Sequence, residues 1–266
     1  QQQPDQRSLT ERYTEKCVEF IRDCGNEPFF LYMAHMHVHL PLYAPEHFVK
    51  KSRNGDYGAC VMAIDWSTGA IVEALKKYGV YENTLIIFTS DNGSRNDFGE
   101  SNGTLRGGKR ETWEGGQRVP FIVHWKGEIS PGTSDALITS LDLYPSLAAI
   151  AGAKIPKDRI IDGIDLSDLI LGKTKTSKRK EFFYYLCNTL EAARVGDWKL
   201  HVAKPKVSRE TEDVTRDASV IPKPVIDDDV EVRELYNLRD DPGETNNLYD
   251  EYPDIVEMIM GRIREC

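Results

Sequence analysis

The stretch Asn83-Thr-Leu-Ile-Ile-Phe-Thr-Ser-Asp-Asn-Gly93 decides the fold class, because it places an apolar strand directly before a polar turn. Its continuous run of apolar and β-branched residues is typical of a strand that is covered on both faces. The preceding residues, 56–79, predict a helix that ends at Gly79 and buries the face formed by Tyr57, Val61, Ile64, Thr68, Ile71 and Leu75. A helix followed by a buried strand predicts an α/β fold, with a mostly parallel sheet sandwiched by helices.

Two further segments, 28–34 and 119–125, show the same run of apolar residues and are predicted as buried strands of this sheet. Residues 8–25 predict a helix before the first of them, since Ser8 offers an N-cap and Gly25 a stop. Helices that alternate with apolar strands are the pattern expected of an α/β domain.

The pattern changes after Gly172, where short strand-like segments follow one another and a final helix is predicted over 253–264. We therefore predict an α/β domain over 1–172 and a small C-terminal antiparallel α+β subdomain over 173–266. The charged, Pro-containing residues 204–230 are expected to form a long surface excursion of that subdomain.

Charge and composition narrow the classes of partner. The 266-residue chain carries a formal net charge of −9, which argues against nucleic acid because no basic surplus can displace its counterions. No apolar run approaches the ~20 residues needed to cross a bilayer, so no membrane span is expected. Reduced structural thiols are favoured over a Cys17–Cys24 bridge, and Cys60 is interpreted as a core thiol.

Asp91 and Asn92 directly follow the predicted strand and begin a Gly-rich polar segment over 93–118. In an open parallel sheet, ligands collect at the carboxyl ends of the strands. A carboxylate beside an amide carbonyl offers hard oxygen ligands that suit Ca²⁺ or Mg²⁺. An ordinary Asp-Asn-Gly turn explains the same residues, and the sequence favours neither interpretation.

Three alternating histidines follow the first predicted strand, in His35-Met-His-Val-His39. They fit either zinc ligands or residues at the mouth of an active site, where a histidine can donate a proton to a leaving oxygen. Zinc is the less favoured interpretation, because no cysteine or acidic residue is spaced to complete the site. A single histidine is more often a structural side chain.

Lys109 lies in the Gly-rich segment, where glycines allow the backbone to approach a ligand closely. Its ammonium group would supply a compact cation for a tetrahedral anion. The alternative is a solvated, charged loop whose arginines pair with Glu111 and Glu114, and the segment alone favours that alternative.

Seven segments, taken in order, resemble the sulfatase family, of the arylsulfatase A type, within the alkaline-phosphatase-like superfamily. Each alone is a weak signal, but their shared order over nearly the whole chain argues against coincidence. The segments are Pro28–Tyr32 with His39-Leu40-Pro41, Asn83–Gly93, Gly107–Pro120, Leu141–Ser146, Asp162–Leu166, Val195–Leu200, and Glu234–Pro242 with Asn247-Leu248.

The resemblance implies a sulfuric ester hydrolase that releases sulfate from a small organic sulfate, either an aryl or a sugar sulfate. By position, Asp91 and Asn92 resemble two ligands of a bound Ca²⁺, with Mg²⁺ as the alternative metal. Lys109 resembles the lysine that contacts a sulfate oxygen and the leaving oxygen. His39 resembles the histidine that contacts sulfate and helps to protonate the departing alcohol.

The chain also departs from the family pattern. Sulfatases use a formylglycine made from Cys or Ser in a Cys/Ser-x-Pro/Ala-x-Arg motif, and a pair of aspartates near their N-terminus as further metal ligands. Neither occurs in this sequence, and the resemblance implies that both lie upstream of Pro28. We therefore expect the chain to correspond to the C-terminal part of a sulfatase and to be inactive alone, because the covalent route needs its nucleophile.

Two other functions fit the same residues. A related phosphatase or phosphodiesterase of the superfamily would share the fold and part of the site. A non-catalytic domain would bind anions or glycans through the same side chains, without depending on a metal.

Overall fold

The computed structural model describes residues 5–186, 189–203 and 232–265. The chain divides into two compact units. The first contains Gln1–Ile87, Asn96–Ser101 and Val123–Ile129, and the second contains Phe88–Arg95, Asn102–Ile122 and Ser130–Cys266. The domain boundary predicted at 172/173 stays a prediction, and the excursion predicted over 204–230 lies outside the described residues.

Helices form most of the first unit. They are α1 (Leu9–Cys24), α2 (Glu46–Val49) and α3 (Gly55–Lys77). They confirm the helices predicted over 8–25 and 56–79. α1 packs against α3, and a buried hydrogen bond of 2.6 Å joins the Thr14 and Ser67 hydroxyl groups. The Thr14 hydroxyl also donates to the Thr10 carbonyl at 2.7 Å, so the contact between the helices pairs the buried Ser67 hydroxyl.

The predicted buried face of α3 is confirmed at Leu75, which is 2% exposed, and is wrong at Val61. Val61 is 43% exposed. The residues that are buried are mostly small and occupy neighbouring positions, namely Ala59, Cys60, Ala63, Ser67, Ala74 and Leu75. Small side chains let α1 and α2 approach α3 closely, so close packing rather than side-chain size selects the face.

The cysteines of α1 and α3, and the apolar character of α3, bear on the predictions for thiols and membrane spans. Cys60 is 1% exposed, which confirms its interpretation as a core thiol, and burial raises the pKa of this thiol to about 11. Cys17 and Cys24 are both free, so no bridge joins them. Among the described helices, α3 is long and apolar enough to cross a membrane, but the core helix of a globular protein meets the same criterion.

The strand predicted over 28–34 differs from the structure in both burial and pairing. The segment carries no strand assignment, and its side chains alternate between half-buried and exposed. Phe29 and Leu31 pack against the core of the first unit, whereas Phe30 and Tyr32 are 73% and 79% exposed. An apolar run favours extended backbone. Its hydrogen bonding as a strand, and the burial of its second face, depend on other segments that pack beside it.

The strands predicted over 83–90 and 119–125 are confirmed as β1 (Ile86–Thr89) and β2 (Phe121–His124), which form a two-stranded sheet. The full cover predicted for both faces is wrong within the described residues, because Ile122 is 60% exposed. The mostly parallel sheet stays a prediction.

In the described part of the second unit, three short helices come before the antiparallel sheet, and a buried ion pair lies next to one of them. The helices are α4 (Glu114–Gln117), α5 (Leu143–Ile150) and α6 (Ser167–Ile170). Asp142, before α5, lies 2.6 Å from the guanidinium of Arg179 and accepts the backbone N–H of Ile164 at 2.8 Å. Two of the segments that carry the family resemblance, 141–146 and 162–166, are thereby held together.

A four-stranded antiparallel sheet confirms the antiparallel C-terminal region. Its strands are β3 (Glu181–Leu186), β4 (Thr189–Val195), β5 (Trp198–His201) and β6 (Glu234–Asn237), and they pair in that order. The predicted last helix is α7 (Pro253–Glu265), and Ile259 packs with Leu200 and Leu235 in the core between helix and sheet. Because side chains alternate along a strand, Lys199 and His201 of β5 lie on the opposite face.

Candidate functional site

The candidate metal ligands lie in a tight turn directly after β1. Asp91 Oδ1 accepts a hydrogen bond of 2.9 Å from the backbone N–H of Asn92, and the Asn92 side-chain amide donates to the Gly93 carbonyl at 2.9 Å. Within the described residues, Asp91 Oδ2 and Asn92 Oδ1 receive no hydrogen bond. The residues therefore form an Asp-Asn-Gly turn and still present two hard oxygens to a cation.

The backbone of Lys109 ties it to the same turn. Its N–H donates to the Ser94 carbonyl at 2.8 Å. Asn102 braces this contact, because its side chain accepts the Ser94 N–H at 2.9 Å and donates to the Gly107 carbonyl at 2.9 Å. In the described part of the chain, the Lys109 ammonium group has no ion pair or hydrogen bond. One loop cluster thus contains the cation and the two oxygen donors.

Glycines make the close approach within this cluster possible. The Gly93 N–H donates to the Gly116 carbonyl at 2.9 Å, and a Cβ on Gly93 would overlap the carbonyl oxygen of Gly115. A Cβ on Gly116 would overlap the Gly108 carbonyl oxygen in the same way. The Gly-rich sequence is therefore needed for backbone-to-backbone packing, which a side chain would block.

His39 belongs to the first unit and is exposed. Its Nδ1 lies 2.8 Å from the Leu40 carbonyl oxygen, which fixes the ring and leaves Nε2 without a hydrogen bond in the described part of the chain. His37 is 3% exposed, and neither of its ring nitrogens has a hydrogen-bond partner in the described part of the chain. Burial lowers the pKa of His35, and the neighbouring His37 lowers it further. That His39 and Lys109 act on one anion stays a prediction.

A buried cluster of charges, not among the predicted sites, contacts the Gly-rich segment. Lys199 is fully buried, and its Nζ lies 3.0 Å from Glu114 Oε1 and 3.1 Å from Glu244 Oε1. Glu244 also contacts His201 Nε2 at 2.8 Å and accepts the backbone N–H of Glu114 at 2.7 Å. The predicted solvated loop is wrong at Glu114, which is 2% exposed and pairs with the C-terminal sheet.

The cluster keeps its charges through mutual contacts. Burial would raise the pKa of Glu244, but the hydrogen bond with His201 and the charge of Lys199 outweigh it and lower that pKa. Burial lowers the pKa of His201, against the opposing effect of the contact with Glu244. At neutral pH the cluster therefore holds a carboxylate at Glu244 and a neutral imidazole at His201.

Arg106 and Trp113 form a second contact between the Gly-rich segment and the sheet. The Arg106 guanidinium lies 3.6 Å from the centroid of the Trp113 ring, which in turn lies 3.8 Å from the His201 ring. Arg106 also donates to the Tyr236 hydroxyl at 3.0 Å and to Glu234 Oε2 at 3.2 Å. The residues that flank Lys109 on both sides are thus attached to the sheet.

Comparison with known proteins assigns the family. The family model described as Sulfatase matches residues 1–153, and the one described as the C-terminal region of aryl-sulfatase matches residues 177–266. The chain belongs to the sulfatase family. This confirms the resemblance and favours the sulfatase interpretation over a related phosphatase or a non-catalytic binding domain.

The relatives of this sulfatase chain are longer proteins. An arylsulfatase of Hemicentrotus pulcherrimus is 38% identical over 209 residues, which cover 77% of this chain and 38% of that protein. Human arylsulfatase A is 37% identical over 249 residues, which cover 90% of this chain and 48% of that protein. The structure of a sulfatase from Pseudoalteromonas sp. matches with a TM-score of 0.81 and 28% identity, covering 97% of this chain and 52% of that chain. The chain thus spans about half the length of these relatives or less.

Proposed function

We propose that this chain supplies part of the active site of a sulfatase that hydrolyses small aryl or sugar sulfate esters. The observation that carries the proposal is one loop cluster in which, among the residues that the structure describes, the Lys109 ammonium, Asp91 Oδ2 and Asn92 Oδ1 have no partner. An unpaired ammonium group beside oxygen donors for a divalent cation is complementary to a sulfate group.

The donor set of the turn fits a hard divalent cation. Asp91 Oδ2 and Asn92 Oδ1 would hold Ca²⁺, or Mg²⁺ as the alternative. The described residues contain no group of three or more His, Cys, Asp or Glu side chains that could hold a metal, so these two oxygens form a partial ligand set. When bound, the cation supplies positive charge that polarises the sulfuryl oxygens.

The remaining groups of this chain act on the ester itself. Lys109 places its ammonium group against a sulfuryl oxygen and stabilises the charge that develops there in the transition state. His39, with its ring fixed by the Leu40 carbonyl, presents Nε2 to the leaving alcohol oxygen and donates a proton to it. The nucleophile that the family implies, formylglycine, has no precursor motif in this sequence.

The same proposal extends to the architecture. β1 and the segment at 28–34 belong to a mostly parallel sheet sandwiched by helices, in a catalytic domain over 1–172. Residues 173–266 form the C-terminal subdomain. The match of nearly the whole chain to a solved sulfatase supports this arrangement.

Calcium titration of the chain tests the ligand assignment. We expect CaCl₂ to shift the backbone NMR signals of residues 91–94 with weak affinity, a Kd on the order of 10⁻³ M, because only part of the ligand set is present. Asp91→Asn should abolish the shifts, and Asp135→Asn, an exposed acidic residue of the same unit, should leave them intact. Equal shifts in the wild type and Asp91→Asn would contradict the assignment.

Turnover provides a second arm of that test. We expect no hydrolysis of an aryl sulfate by the chain alone, since it lacks the nucleophile motif. Hydrolysis that disappears in Lys109→Ala and persists in Lys154→Ala would contradict the proposed division of roles.

A further inference from the structure

The complete burial of Lys199 is not explained by stability. Taking an ammonium group out of water is costly, and a buried ion pair is often no more stable than an apolar pair of similar volume. Leu200, its neighbour on the other face of β5, packs in the apolar core as expected of a buried strand residue. The reason for the burial of Lys199 therefore lies in the residues that it holds in position, and less in the energy of its ion pairs.

The contacts of Lys199 converge on Glu114. Lys199 Nζ holds the Glu114 carboxylate at 3.0 Å, and Glu244, which Lys199 also contacts at 3.1 Å, accepts the Glu114 backbone N–H at 2.7 Å. Charge-assisted hydrogen bonds thus fix the side chain of Glu114 to β5 and its main chain to Glu244, in the loop after β6. His201 fixes Glu244 in turn, at 2.8 Å.

Glu114 leads directly into the glycines that pack against the candidate ligands. Gly115 donates its N–H to the Arg106 carbonyl at 2.7 Å, and Gly116 accepts the N–H of Gly93 at 2.9 Å. The two backbones are in direct contact, since a Cβ on Gly93 would overlap the Gly115 carbonyl oxygen. A displacement of Glu114 is therefore transmitted to Gly93.

We propose that Lys199 and Glu114 are positioning residues of the candidate site. Their buried ion pair sets the position of the Gly115-Gly116 backbone, and the Gly93–Gly116 contact passes that position to Asp91 and Asn92. This positioning matters for catalysis only if Asp91 and Asn92 are metal ligands, as proposed above. The mechanical link from Lys199 to Gly93 is independent of that proposal.

Amide hydrogen exchange of the whole chain, without metal, measures the transmitted position. In Lys199→Met, the Gly93 amide should exchange at least about tenfold faster relative to the Ile259 amide of α7, because its acceptor carbonyl is no longer held. Thr112→Val is the matched control. It removes a buried hydrogen bond of 2.9 Å between the same segment and Glu191 of the same sheet, and it should leave this ratio unchanged.

A double variant separates positioning from stability. In Lys199→Met with Glu114→Leu, both charges are replaced by apolar groups, so the urea midpoint should recover relative to Lys199→Met. The Gly93 amide should nevertheless remain fast, since no ion pair fixes the turn. Should Lys199→Met not fold, Glu114→Leu serves as the single variant, because it removes the carboxylate that Lys199 holds and leaves Lys199 paired with Glu244.

The outcomes are distinct. The positioning role would be overturned if Lys199→Met accelerated exchange of the Gly93 and Ile259 amides equally. It would also be overturned if the double variant recovered both its stability to urea and the protection of the Gly93 amide against exchange. Local acceleration in a chain whose residues 91–94 do not respond to CaCl₂ would support the positioning contact and reject the metal-ligand assignment. Local acceleration together with weaker calcium shifts would support both.

Discussion

The segment at 28–34 and strand β5 show that apolar sequence and burial are separate properties. The segment, Pro28-Phe-Phe-Leu-Tyr-Met-Ala34, is entirely apolar apart from one hydroxyl group, and it exposes Phe30 and Tyr32 almost fully. β5 includes Lys199 and His201, and both are fully buried. The more apolar of the two is the more exposed.

Neighbouring chain accounts for the difference. β5 pairs with β4 on one edge and β6 on the other, α7 covers its apolar face, and residues 106–114 cover its charged face. Within the described residues, no strand pairs with the segment at 28–34. A strand pattern therefore specifies extended backbone, whereas the elements around it decide what the strand buries.

The largest effect is expected from removing the cover of β5. Ile259→Ala leaves a cavity between α7 and the sheet and should lower the free energy of local unfolding by about 2–5 kcal/mol. Hydrogen exchange measured by mass spectrometry should then accelerate in peptides over 189–203 and stay constant over 28–34. Met258→Ala, at a position 40% exposed on the same helix, is the control and should change stability by less than about 0.5 kcal/mol.

Acid should weaken β5 by an intermediate amount. The folded pKa values of His201 and Glu244 are both lowered, so each stabilises the folded sheet above its ordinary pKa, and this contribution is lost as pH falls through the folded value. The protection of amides over 189–203 against hydrogen exchange should therefore begin to fall below pH 6.5, the ordinary pKa of histidine. It should fall further below pH 4.5, the ordinary pKa of glutamate.

The pH effect should amount to about 1.5–3 kcal/mol, the range for hydrogen bonds to charged groups. Peptides over 28–34 contain no group that titrates in this range and serve as the internal reference. His201→Gln should remove the first phase, whereas His47→Gln, at an exposed position, should not. Protection that does not change between pH 7.5 and 5 would contradict the neutral, buried state assigned to His201.

The smallest effect on stability is expected in the exposed segment. Replacing both Phe30→Ser and Tyr32→Ser should change the free energy of unfolding by less than about 0.5 kcal/mol, because these side chains bury little surface in this chain. The same change should reduce self-association in sedimentation experiments, since it removes an exposed apolar patch. Ile160→Ser, at an isolated position 92% exposed, is the control and should have less effect on self-association.

Local patterns predicted the positions of most helices and strands, because spacing and stop residues such as Gly25 and Gly79 act within a few residues. The face of α3 was not predictable in this way, since it depends on how closely α1 and α2 approach. Small residues such as Ala63 are buried on that face, whereas the more apolar Val61 is exposed.

The candidate site was predictable in part. Asp91, Asn92 and Lys109 were located from their place after a strand and in a Gly-rich segment, together with the family resemblance. The anchor at Glu114 was not, because its partners Lys199 and Glu244 are distant in sequence. The available signal was Lys199-Leu-His201, two chargeable side chains on one face of an otherwise apolar strand, which requires an acidic partner when buried.

The brace formed by Asn102 has a consequence for the biosynthesis of the protein. Asn102-Gly-Thr104 is an acceptor sequence for N-linked sugar, and the side-chain nitrogen that would carry the sugar donates to the carbonyls of Gly107 and Ser94 at 2.9 Å and 3.3 Å. A glycosylated amide keeps one hydrogen where two are used, and its sugar would start in a half-buried position. N-linked sugar on Asn102 would therefore break one of these two contacts, so we expect Asn102 to stay unmodified when the chain is expressed in a glycosylating host, which its intact mass would show.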